Sequence, residues 1–148
     1  MTKQLNKKGT SLVELIAVIV IMGIIAGIAI PTTIAVINRQ KKNAAVKSAE
    51  NAFAAAKNVL LEASTGTLAP AADASHGVAK TDDTYSINTA GLVALEELEK
   101  EIVTAGTITF SLTGTNTFSV TCSGAKVNGV DVYYSNGAFT TTAPANNG

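Results

Sequence analysis

Tryptophan is absent from this 148-residue chain, and only one cysteine and one histidine are present. A lone Cys122 excludes an intramolecular disulfide and leaves the redox compartment open. A lone His76 leaves no histidine cluster for a metal ion. Glycine-rich phosphate loops, a CxxC pair and paired catalytic carboxylates are also missing, so neither an enzyme nor a metal or cofactor is expected. Seven aromatic residues in all mean a light core. The formal charge is zero, and beyond residue 43 five lysines face ten acids, a net −5. A head of that sign is not suited to nucleic acid.

Charge is missing altogether from Leu15 to Asn38, 24 consecutive residues. About 20 residues at 1.5 Å rise cross the hydrocarbon core, so this run is long enough for a transmembrane helix. Residues 1–9, MTKQLNKKG, are polar and basic, with no apolar stretch before the glycine, and read as a short leader on the cytoplasmic side. Arg39, Lys41 and Lys42 follow the run, so basic residues stand at both ends and charge counting does not orient the span. Glu14, at the head of the run, is out of place. A carboxylate in a membrane helix costs roughly 2.5–3.5 kcal/mol at the bilayer centre and less near the interface, and it ordinarily marks function. Gly23, Gly27 and Pro31 make the second half of the run its weakest helical part, because Pro31 has no N–H for the Gly27 carbonyl. A kink is expected there, or unwinding if neighbouring subunits satisfy the freed carbonyls.

From Ala44 to Ala63 the spacing of Val46, Ala49, Phe53, Ala56 and Leu60 continues the helix as an amphipathic one, its stripe facing a core. Residues 64–90 are rich in Ser, Thr, Ala, Gly and Asp and read as a long surface loop carrying His76, Asp82 and Asp83 as solvated groups. Gly91 to Val103 reads as a short helix, with Leu92, Leu95, Leu98 and Ile102 on one side and four glutamates largely on the other. Those glutamates read as a solvated face. Alternation at Ile108, Phe110 and Leu112, at Phe118, Val120 and Cys122, and at Val130, Val132 and Tyr134 predicts about four strands of an antiparallel meander. Asn128-Gly129 and Asn136-Gly137 are tight-hairpin signals. Cys122, in phase with Phe118 and Val120, is expected as a buried structural thiol, and the tail TTTAPANNG offers nothing to pack. The fold expected is α+β: a long N-terminal helix, membrane-embedded in its first half, packed on a small antiparallel head.

Lys7-Lys8-Gly9 followed by TSLVE and an apolar run resembles the leader and cleavage site of type IV prepilins and the similar pseudopilins. The resemblance covers residues 7–31 at the level of motif and the rest only in layout. It implies that a prepilin peptidase cuts after Gly9 and N-methylates Thr10, the new first residue. Residues 10–38 then form the filament-core helix, 39–63 its amphipathic continuation and 64–148 the head. Thr10 departs from the phenylalanine usual at that position. With Cys122 alone, the chain cannot close the disulfide loop of many Gram-negative pilins.

The function these residues imply is a structural subunit, a major pilin because the head is small and plain. In a filament Glu14 would pair with the Thr10 amine of a neighbouring subunit. The partners implied are copies of the chain itself, the peptidase, an assembly ATPase with its membrane platform, and the membrane before assembly. Adhesion, motility, biofilm formation and DNA uptake are the tasks such filaments serve. A minor pilin or a pseudopilin of a secretion or competence system is the nearest rival. A secreted binding protein with residues 1–29 as signal peptide is the more distant one, disfavoured by Glu14.

Overall fold

The computed structural model describes residues 11–70 and 77–144. Gly9, Thr10 and the rest of the leader, His76, and the last four residues lie outside them. The chain divides into two compact units, Met1–Gln40 and Lys41–Gly148, and the helix α1 (Leu12–Ser64) contributes to both. In the first unit the described residues from Leu12 onward are helix alone.

In the second unit α1 lays a stripe of small residues into the core. Ala45, Ala49, Ala52, Ala56, Val59, Leu60 and Ala63 are buried, at spacings of three and four that return to one helical face. Val46 and Phe53, expected on the stripe, flank it half-buried. The helix stops where Gly66 takes a φ of +81°, with the Thr67 N–H donating to the Glu62 carbonyl at 2.9 Å. That is the glycine-terminated ending helices commonly adopt, because only glycine reaches the left-handed region without cost.

Opposite the stripe lies a six-stranded antiparallel sheet in simple sequence order: β1 (Ala79–Thr81), β2 (Thr84–Asn88), β3 (Val103–Thr113), β4 (Thr117–Val127), β5 (Val130–Ser135) and β6 (Ala138–Thr140). Alternation sorts its faces. Ile108, Phe110 and Leu112 pair with Cys122, Val120 and Phe118 on the face toward α1, whereas Thr109, Ser111 and Thr113 pair with Thr121, Ser119 and Thr117 on the other. The large side chains of the sheet therefore fill the space that the helical alanines leave, and Phe53 stacks on Phe110 at 5.7 Å between ring centroids. Tyr134 and Phe139 close on Phe53 edge-on, each at 6.4 Å, so the last hairpin completes an aromatic cluster.

Three expectations need correction. Residues 64–90 are not a loop throughout: β1 and β2 form a hairpin turning at Asp82-Asp83, with Asp82 at φ +52°. Its signal is weak in sequence because only Tyr85 and Ile87 alternate. Pairing with β3 fixes it, placing fully buried Ile87 beside Phe110. The short helix is α2 (Thr89–Ala94), not 91–103. Asn88 starts it early by accepting the Gly91 N–H at 2.8 Å, and Glu96, at φ +61°, ends it as Glu97 N–H bonds the Leu92 carbonyl. Continuing the helix would have set four glutamates at the negative end of its dipole. The sheet accordingly has six strands where four were expected.

Asn128-Gly129 and Asn136-Gly137 do form two-residue turns, with Asn128 at φ +49° and Asn136 at +53°. The register shifts around Ala105 depend on Gly106, at φ +76°, where a Cβ would come within 2.9 Å of the Ala125 backbone.

The alanine stripe yields a paired prediction for the full chain in detergent micelles. Ala49→Leu, at a fully buried site, should destabilise the head by about 1–3 kcal/mol through overpacking, read as a lower urea midpoint. Ala54→Leu, on the exposed side, should stay within about 0.5 kcal/mol of the parent. Equal effects at the two positions would contradict the packing described.

Candidate functional site: the apolar helix and its acidic start

Helix formation begins at Ser11, the first described residue. Ser11-Leu12-Val13-Glu14 is the pattern in which a serine precedes the first helical turn and a glutamate three residues on reaches back. The Glu14 Oε2 accepts the Ser11 backbone N–H at 3.1 Å, satisfying a donor with no partner inside the helix, and the Ser11 carbonyl accepts the Leu15 N–H. Glu14 is exposed. A carboxylate is electrostatically favoured at that end of a helix, where the backbone dipoles leave partial positive charge. The S-x-x-E spacing is visible in the sequence, and reading Glu14 only as a misplaced charge overlooks it.

From Leu15 to Ile30 the helix is apolar on every side. Every described side chain from Ser11 to Gln40 is exposed, including Leu12 at 73% and Ile28 at 69%. The helix is long and apolar enough to cross a membrane, and its place near the N-terminus fits a membrane span or a signal sequence.

α1 is continuous through Gly23, Gly27 and Pro31. Just after the proline, the Thr32 and Thr33 hydroxyls both donate to the Ala29 carbonyl, at 2.8 and 2.9 Å, so polar side chains are satisfied along the helix itself. At Gly23 and Gly27 an added methyl group would meet nothing within 4 Å. Within a single chain, then, no crowding explains these glycines. Their spacing, Gly-x-x-x-Gly, is the one that lets two membrane helices approach closely.

The other sequence-predicted groups are scattered. Asp82 and Asp83 occupy the β1–β2 turn, where the Asp83 carbonyl accepts the Gly114 N–H at 3.1 Å. Glu101 is used locally, accepting the Val103 N–H at 3.0 Å. Lys47–Glu50 and Lys126–Asp131 are exposed pairs, which ordinarily add little stability. Among the described residues no three His, Cys, Asp or Glu side chains gather as metal ligands. Two shallow depressions, of about 130 and 210 Å³, lie beside β3 and between α1 and residues 98–102.

Cys122 is half-buried on β4, and its thiol donates to the Val132 carbonyl at 3.2 Å. Desolvation raises its pKa above the ordinary thiol range, with a backbone contact at Ala125 opposing in part. The neutral thiol is therefore favoured in the folded chain, and its contribution to stability is present below the unfolded thiol pKa and fades as pH rises through the folded one.

Comparison with protein-family models, with curated proteins and with solved structures found no match to this chain. What stands is the architecture: one long N-terminal helix, apolar in its first part and packed in its second part on an antiparallel sheet, consistent with a pilin-like fold.

The thiol provides a direct check. Alkylation of Cys122 in the folded chain should be slower than in the urea-unfolded chain, and its rate-against-pH curve should be displaced to higher pH. Coincident curves would show that the fold does not shield the sulfur.

Proposed function

We propose that this chain is a pilin: a structural subunit, stored in the cytoplasmic membrane by its apolar helix and polymerised through that helix into an extracellular type IV pilus filament. The observation that carries the reading is the conjunction of Glu14 with a membrane-length apolar surface that nothing in the described chain covers. Lipid covers such a surface before assembly, and the helices of neighbouring copies cover it afterwards. Because residues 10–38 would contact other copies head to tail without closing a ring, the product is an open filament.

Cleavage after Gly9 by a prepilin peptidase would create a positive amine at Thr10, whose charge methylation retains. Glu14 of one subunit then neutralises the Thr10 amine of the next, turning two charges unfavourable in an apolar interior into a compensated pair that fixes axial register. Gly23 and Gly27 give neighbouring backbones room for close approach. Pro31 leaves the Gly27 carbonyl without its helical donor, and Gly23 to Pro31 is the segment able to unwind when subunits pack. An assembly ATPase and its membrane platform would supply the work of extraction from the bilayer. The small, plain head favours a major subunit.

Glu14 offers two roles that substitution can separate. Glutamine at the third helical position still supports the bond back to Ser11 but carries no charge. Glu14→Gln should therefore leave the helix start intact and yet, like Glu14→Ala, reduce sheared filament by about tenfold or more, since one unpaired buried charge costs several kcal/mol. Cleaved subunit should accumulate in the membrane in both variants. Parent levels of filament from Glu14→Gln would reduce Glu14 to a helix cap and refute the pairing role.

A further inference from the structure

The two Asn-Gly turns are alike in sequence and backbone but differ in what holds them. At the β4–β5 turn, the Asn128 N–H donates to the Ile102 carbonyl at 2.9 Å, and its side-chain Nδ2 donates to Ser48 Oγ on α1 at 3.3 Å. The Gly129 N–H donates to Thr104 Oγ1 at 3.2 Å. Backbone, side chain and the following amide are all anchored. At the β5–β6 turn no hydrogen bond joins the Asn136 side chain or the Gly137 N–H to another described residue. Both asparagines are exposed, so exposure does not distinguish them.

This difference bears on a reaction that Asn-Gly pairs undergo in water without an enzyme. The backbone nitrogen of the glycine, unshielded because glycine has no side chain, attacks the asparagine Cγ. A C–N bond forms, the Cγ–Nδ2 bond breaks, and ammonia leaves carrying the proton given up by the glycine nitrogen. Water then opens the cyclic imide at either carbonyl, giving aspartate or isoaspartate. For Asn128 the attack must first free the Gly129 N–H from Thr104 and the Nδ2 from Ser48. Among the described residues, nothing places either restraint on Asn136.

We infer that Asn136 is a site of spontaneous deamidation in this protein and that Asn128 is protected by Thr104 and Ser48. The product places a new negative charge at the tip of the last hairpin, on a head already at −5 beyond residue 43. The isoaspartate form also adds a backbone carbon to a two-residue turn. The next paired residues but one are Tyr134 and Phe139, whose rings meet at 5.0 Å and both contact Phe53. Ageing would therefore loosen the hairpin that closes the aromatic cluster. The inference concerns the head alone and stands apart from the assembly role of Glu14.

The test is timed incubation of the full chain in detergent micelles in mildly alkaline heavy-oxygen water. Peptide mapping then counts label at each asparagine. Two hydrogen bonds of ordinary net strength correspond to about thirtyfold in rate, so Asn136 should convert about thirtyfold, and at least several-fold, faster than Asn128. Thr104→Val, which removes the acceptor for Gly129, should accelerate conversion at Asn128 and leave Asn136 unchanged. Equal rates at the two sites, faster conversion at Asn128, or no effect of Thr104→Val would each overturn the inference.

Discussion

One constraint governs this molecule: the first part of α1 has no polar face. Sixteen large apolar side chains between Leu12 and Ile37 are exposed, the least of them at 44%. Full burial of a single side chain of this kind is worth about 1.5–3 kcal/mol, so leaving the set in water costs on the order of tens of kcal/mol. That exceeds the whole folding stability of an ordinary domain, roughly 5–15 kcal/mol. The surface must therefore be covered by lipid or by other protein.

Glu14 takes its meaning from the same constraint. In the single chain its carboxylate satisfies the Ser11 amide, a local task that any helix start can set. Local capping explains why a carboxylate is tolerated at the edge of an apolar run, but a glutamine at the same position would do as well without a charge near hydrocarbon. The helix dipole favours a carboxylate there in part, and in the proposed filament the amine of another copy adds a full opposite charge. Gly23 and Gly27 follow a parallel logic, since nothing within 4 Å in the single chain requires their lack of a side chain.

Much of the architecture was legible because its signals are local. The uncharged run, the 3.6-residue stripe after Ala44, the alternating apolar residues from Ile108 onward and the Asn-Gly turns each specify their element within a few residues. The β1–β2 hairpin is not legible in the sequence, because it exists through pairing with β3 well over 20 residues later, where Thr84 meets Thr113. Neither end of α2 is legible from periodicity: its apolar residues keep a helical phase to Ile102, yet Asn88 and Glu96 set the limits. Within the candidate site, the charge on Glu14 was conspicuous, whereas its bond to Ser11 was overlooked although the spacing announces it. The protection of Asn128 could not have been read, since Thr104 and Ser48 approach it only in the folded chain.

Two uses of the apolar helix, as a retained anchor and as a discarded signal, differ in where the mature chain begins. N-terminal sequencing of the protein recovered from the cell surface separates them most directly. A start at Thr10, with the apolar helix and Glu14 retained, is the expected result. A start at Ile30, with that helix removed, would contradict the assembly of this chain through it.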